Sequence, residues 1–172
     1  QAGQAMRVDF TVRRVTAHLR GRVVDEFGAG VGDIGFIAGG PSETYSYTRT
    51  NGSGDFDLGV FAGAWQLQLE SQDANSRGLI GPSVSVTVVD GVDQNNITFT
   101  ARHATYRIMG TVKDGGGTGI ANLSMYAFTT VGGLNYNASG KTDGTSAYQL
   151  GVFDASWQVG VSCSDLQAQA KA

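Results

Sequence analysis

One stretch is written twice in this chain. Residues 50–65 read TNGSGDFDLGVFAGAW and residues 142–157 read TDGTSAYQLGVFDASW, in register at an offset of 92 with no gap. Repetition on this scale means that one supersecondary unit is built twice, so the fold that accommodates the first copy must accommodate the second. Asn51 and Asp143 open the two turns, and Gly52 and Gly144 follow where a tight turn needs positive φ. Phe56 and Leu58, like Tyr148 and Leu150, then alternate with polar residues, the period of a strand with one buried face. The alternation breaks at Gly59-Val60-Phe61, and Trp65 opens the next strand.

The repeat extends beyond these stretches. Phe10 and Phe99, Arg13 and Arg102, Gly21 and Gly110, and Val23 and Val112 share an offset of 89, so a three-residue insertion falls near Val131-Gly132-Gly133. Residues 7–13, RVDFTVR, correspond to residues 96–102, NITFTAR, the last strand of the first complete copy. Strands are expected over 16–24, 33–38, 43–50, 55–58, 65–70, 83–89 and 96–101, with 72–81 a polar loop. Turn signals about every eight to twelve residues imply a sandwich, not a helical or βαβ architecture. The second copy follows the same course but ends before the counterparts of its last two strands. The expected fold class is therefore all-β: tandem seven-stranded Greek-key β-sandwiches, Ig-like or transthyretin-like, with the second copy incomplete at its C-terminus. The expected divisions are 1–15, the final strand of a preceding repeat or a donor strand; 16–104, the first sandwich; and 105–172, the second, lacking two strands.

Composition narrows the partners. Charged residues are only 16% of the chain, against about 25% for an ordinary globular protein, so the surface must be largely Ser, Thr, Asn, Gln and Gly. This composition is common in secreted and surface-displayed proteins, and an extracellular or cell-surface location is expected. A net charge of −3 gives no general attraction to nucleic acid, and no apolar run is long enough for membrane insertion. Arg7, Arg13, Arg14, Arg20 and Arg22 crowd the first 22 residues; they read as a solvated face or as a contact for an acidic polysaccharide or a neighbouring subunit. Cys163 is the only cysteine, so no intrachain disulfide forms, and it reads as a small buried residue. Residues 1–10, QAGQAMRVDF, have no signal-peptide h-region, so any targeting signal is expected outside this chain.

No catalytic constellation is legible. His18 and His103 are the only histidines, they occupy non-equivalent repeat positions, and no nucleophile, metal or phosphate-loop spacing accompanies them. The chain reads as a non-enzyme with no cofactor and no metal. Asn51, Ser53, Asp55 and Asp57 are the single weak calcium candidate; the same alternation reads equally as a hairpin with outward polar residues. Trp65 and Trp157, with Phe61 and Phe153, read as repeated core positions. Tyr45, Tyr47 and Tyr136 read as surface tyrosines for ligand stacking, or as cross-strand pairs.

The order of signals in GRVVDEFGAGVGDIGF, TRTNGSGDFDLGVFAGAWQLQL and VSVTVVDGVDQNNITF resembles the carboxypeptidase regulatory-like domains, with their transthyretin-like and Cna B-type relatives. The resemblance covers nearly the whole chain, twice, and implies a non-catalytic accessory, stalk or surface repeat. Cna B-type relatives carry a Lys to Asn isopeptide bond; the first copy has no lysine, and Lys113 stands in a copy without its last strand. The expected function is an extracellular structural module, a stalk, layer or filament subunit. In its sharper form the open second copy accepts the strand Arg7, Val8, Asp9, Phe10, Thr11, Val12, Arg13 of another chain. The expected partners are then copies of itself or adjacent repeats. Two alternatives stay open: an adhesive module for a polysaccharide or cell-surface receptor, and an accessory domain of a secreted hydrolase or transporter.

Overall fold

The computed structural model describes Arg7, Asp9 and residues 12–162. The chain is all-β. In the first copy, strands β1 (Ala17–Val24), β2 (Gly35–Gly39), β3 (Tyr45–Arg49), β4 (Asp55–Val60) and β5 (Gly63–Leu69) are followed by a short helix α1 (Ser71–Ser76), a two-residue strand β6 (Leu79–Ile80), and strands β7 (Pro82–Val88) and β8 (Gln94–Thr100). A short strand β9 (Arg102–His103) leads to the second copy, which contains β10 (Tyr106–Thr111), β11 (Ser124–Val131), β12 (Leu134–Lys141), β13 (Ala147–Val152) and β14 (Gln158–Val161).

The first copy is a sandwich of two sheets. One has the order β4-β1-β8, with β4 antiparallel and β8 parallel to β1; the other contains β3-β2-β5-β7. Alternation is clean on β4: Phe56, Leu58 and Val60 are buried while Asp55 and Asp57 face outward. The core centres on three rings, with Phe36 of β2 lying 4.4 Å from Phe56 of β4 and 4.9 Å from Phe99 of β8. Between β1 and β8 the register slips near Gly21, where a Cβ would stand 1.9 Å from the Ile97 carbonyl oxygen. Only glycine lets the two backbones approach this closely.

The second copy repeats this pairing. β10 pairs with β13 so that Ile108 faces Leu150, just as Leu19 faces Leu58 in β1 and β4. Its core gathers Leu123, Met125, Ala127, Ala138, Leu150 and Val152. The insertion near Gly132 and Gly133 lengthens the β11–β12 hairpin, whose two-residue turn places both glycines at positive φ. The start of β12 then reaches the first copy, pairing Asn135 with Ser83 and Tyr136 with Pro82. One sheet therefore runs through both copies in the order β14-β11-β12-β7-β5-β2-β3.

Four expectations change. The polar loop over 72–81 contains helix α1, because the Glu70 carboxylate accepts from the backbone N–H groups of Gln72 and Asp73 and so caps the first turn. Gly52 is not the residue at positive φ: Asn51 Oδ1 accepts from the N–H groups of Ser53 and Asp55, which moves the left-handed position to Gly54, at φ 92°. In the second copy Asp143 makes the same pair of bonds to Thr145 and Ala147, and Ser146, not Gly144, takes φ 68°. Finally, β4 continues unbroken to Val60, which pairs with Ala17, and β5 begins at Gly63, before Trp65. Cys163 lies outside the described residues. Among the described residues no helix is long and apolar enough to cross a membrane.

Phe99 is 1% exposed and is the ring that β8 contributes to the core. Phe99→Ala should cost about 3–5 kcal/mol of stability, the usual cost of deleting a buried ring. Denaturant titration checks this, and a loss under about 1 kcal/mol would mean that β8 does not close the first sandwich.

Candidate functional site

The two copies differ in how far their cores are closed. Leu19 and Val23 are 0% exposed beneath β8, whereas their counterparts Ile108 and Val112 are only partly buried. Trp65 is 3% exposed against β7, while Trp157 is partly buried. Among the described residues no strand pairs with the second edge of β10 or with the outer edge of β14. Tyr106 and Met109 on β10 are 58% and 68% exposed. The candidate site is this open side of the second copy, where the counterparts of β7 and β8 would lie.

The repeated aromatics keep their local geometry despite that difference. Trp65 Nε1 donates to the Phe61 carbonyl at 2.8 Å, and Trp157 Nε1 donates to the Phe153 carbonyl at 2.9 Å. Arg13 lies 5.0 Å from the Phe61 ring, and Arg102 lies 5.1 Å from the Phe153 ring. The segment before β1 thus meets the first copy as the segment before β10 meets the second. Arg102 also lies 5.9 Å from the ring of Tyr136, which packs edge-on against Phe153 at 5.0 Å. With Ile80 these two rings form a small buried cluster between the copies.

That packing corrects the reading of Tyr136 as a stacking residue. It is 2% exposed, covered by Phe153, Arg102 and the join to β7. Tyr45 and Tyr47 are 78% and 50% exposed on β3, and the Tyr47 hydroxyl accepts from Arg49 at 3.3 Å. The structure does not bring Tyr136 together with them. Of the expected partner strand, Arg7, Asp9, Val12 and Arg13 are exposed and outside any strand, with Arg7 and Asp9 paired at 2.9 Å. Val8, Phe10 and Thr11 lie outside the described residues.

The calcium candidate has its oxygens engaged elsewhere. Asp57 accepts from Arg20 Nε at 2.8 Å and lies 2.5 Å from His18 Nδ1; Asp55 accepts from Asn51 Nδ2 at 3.0 Å and stands 4.0 Å from Arg22. Asn51 Oδ1 holds the turn, and Ser53 offers it a backbone N–H. Among the described residues no group of three or more His, Cys, Asp or Glu side chains is arranged to hold a metal. Arg20 also bonds Asp93 at 2.6 Å, and Asp93 accepts the His18 backbone N–H. This lattice was missed in the sequence because its carboxylates come from β4 and the β7–β8 turn, far from the arginines in the chain. It neutralises the basic face expected around Arg20 and Arg22.

The carboxylates of the lattice titrate low. Burial pushes Asp57 up, but the hydrogen bonds from Arg20 and His18 outweigh it and hold it below the ordinary 3.8. The hydrogen bond from Arg20, then that from the His18 N–H, holds Asp93 below the same value. On β2, the Gly35 N–H, and after it Arg49, holds Asp73 down likewise. A depressed carboxylate contributes stability that is complete above its unfolded pKa and is lost as pH falls through its folded value. The denaturation midpoint should therefore stay level from about pH 7 to 5 and fall below about pH 4. Asp57→Asn should flatten that acid limb, and an unchanged limb would remove the lattice as its cause.

No protein-family model matches the chain, and no curated protein matches it. Solved structures do. The chain is similar to a streptococcal ancillary pilin at 11% identity and TM-score 0.36, covering 86% of this chain and 53% of that one. It is similar to the Bacillus anthracis TIE protein at 14% identity and TM-score 0.42, covering 84% of this chain and 27% of that one. It is also similar to a DUF3823 family protein from Bacteroides ovatus at 15% identity and TM-score 0.34, covering 85% and 79%. The chain spans about half of the pilin and about a quarter of the TIE protein. TM-scores this low carry no functional information.

Proposed function

We propose that the chain is a non-catalytic structural module of an extracellular or cell-surface assembly, built of seven-stranded Greek-key sandwiches in tandem. Residues 16–104 form one repeat, residues 105–172 a second, and residues 1–15 supply the last strand of a sandwich other than their own. That sandwich belongs to a preceding repeat or to another copy of this chain. In the second case the strand Arg7, Val8, Asp9, Phe10, Thr11, Val12, Arg13 lies parallel to β10, as β8 lies on β1, and Phe10 enters the core where Phe99 enters the first copy.

The observation that carries this reading is the pairing of an unfilled edge with a strand of matching sequence. The second edge of β10 is unpaired among the described residues and Ile108 beneath it is partly exposed, while RVDFTVR repeats the pattern of NITFTAR in β8. An exposed edge of this kind favours pairing with another strand. Further support comes from Arg13, which already meets Phe61 as Arg102 meets Phe153. The low charged fraction and the Ser, Thr, Asn and Gln on outward strand positions support a surface location. A non-enzymatic role fits a chain whose two histidines are each paired with a single carboxylate at the surface, His18 with Asp57 and His103 with Glu26.

The full chain should form oligomers whose mass, measured by light scattering, rises with concentration. Phe10→Glu should abolish them without lowering the melting temperature of the first sandwich, because it charges the side chain that fills the acceptor's core. Oligomers that survive Phe10→Glu, or a monomer at every concentration, would overturn strand donation.

A further inference from the structure

The join between the copies leaves a wedge. β7 and β12 pair over two positions only, because the chain before Pro82 turns away as β6 and pairs Leu79 with His103 and Ile80 with Arg102. Beyond Tyr136, β12 stays paired with β11 but its other edge leaves β7, and α1 stands beside the gap between it and the end of β5. A cavity of about 100 Å³ fills this gap. A second, of about 280 Å³, adjoins it and shares Asn75, Leu79, Ile80 and Ser139 with it. Together they reach about the 300 Å³ at which small-ligand sites begin.

Chemistry along the wedge is distinctive. Its floor is the apolar pair Leu79 and Ile80, both buried. Its walls carry Gln68, Asn75, Asn137, Ser139, Gln149 and Arg107. All six side chains are exposed, and among the described residues none of them hydrogen-bonds or ion-pairs with another group of the chain, so their donors and acceptors are open to a ligand. Amides and a hydroxyl offer donors and acceptors together, the complement of sugar hydroxyls, and the apolar floor suits the C–H face of a pyranose. Tyr106, 58% exposed, borders the larger cavity and can stack on a ring at its mouth. Arg107 is the one charged residue in either lining, and no carboxylate opposes it. A guanidinium fork of this kind binds a carboxylate in bidentate fashion.

We infer that the wedge between β5, β12 and α1 is a binding site for an acidic oligosaccharide, with a uronate carboxylate on Arg107 and sugar hydroxyls on Gln68, Asn75, Asn137, Ser139 and Gln149. Both copies build its walls, and the β7–β12 join with the Arg102 stack holds those walls in place, so little ordering is needed on binding. The site lies on the β13 side of β10, whereas strand donation uses the other edge, and only Tyr106 borders both surfaces.

Calorimetric titration of the full chain with tetragalacturonate tests the assignment, with the neutral β-1,4-galactotetraose as comparison. Saturable binding of the acidic tetramer is expected, weakened about tenfold by Arg107→Gln, the usual worth of one charge-assisted pair. Asn137→Ala should weaken it further, while Lys141→Gln, which alters an exposed lysine at the far end of β12, should leave it unchanged. Absence of saturable binding overturns the site. Equal affinity for the neutral tetramer overturns the acidic class, and equal losses in Arg107→Gln and Lys141→Gln reduce the effect to general charge attraction and overturn it as well.

Discussion

Contact between Phe99 and Phe36 is the interaction on which the first sandwich depends. Two sheets faced with Leu, Val and Ala leave a gap in the middle of the core, and three phenylalanine rings from β2, β4 and β8 fill it. Because one of those rings comes from β8, the sandwich is complete only when its last strand has returned to lie parallel to β1. Parallel pairing cannot be made by a hairpin, so the closing strand must come from far along the chain or from elsewhere. The second copy, with the same hairpins but no such strand among its described residues, shows the other side of that constraint in its partly exposed Ile108, Val112 and Trp157.

Much of the fold is legible in the sequence because it is encoded locally. The offset of 92 carries the turn at Asn51 into Asp143, and the indole-to-carbonyl bond of Trp65 into Trp157, and both recur with near-identical geometry. What local pattern misses is what the copies do to each other. Tyr136 reads with the surface tyrosines, yet it alternates in phase with buried Ala138, and the hairpin carries it to the join with Pro82, where its ring is buried. Helix α1 hid in a polar stretch because its cap, Glu70, is the last residue before it and reads equally as the end of a strand. Of the candidate site, the open edge was legible from the repeat alone; the polar wedge was not, since its walls come from residues 68 and 139 in different copies.

Surface electrostatics follow the same division. The arginines of β1 look like a basic face when read along one strand, but sheet formation sets β4 beside them and the β7–β8 turn across from them, and Asp57 and Asp93 take up Arg20. Arg49 and Arg77 are likewise engaged, by Asp33 and Asp73 and by the backbone of Gly32 and Asp33. Such exposed pairs contribute little individually, and their effect is to orient loops more than to hold the core. The contrast with Arg102, whose buried Nε has no hydrogen-bond partner and whose guanidinium lies over two aromatic rings, marks the inter-copy cluster as the place where charge is used for packing.

The shortness of the β7–β12 join has a mechanical meaning. β11 and β12 are zipped over eight residue pairs, from Ser124 with Lys141 to Val131 with Leu134, whereas the copies share two across the same sheet. Beside the backbone link through β9, the copies are held together by that short join and the cluster of Ile80, Tyr136 and Phe153. Within the shared sheet the join has the fewest paired residues, two against four at β11–β14 and at β2–β5, so it is the seam along which that sheet parts most easily.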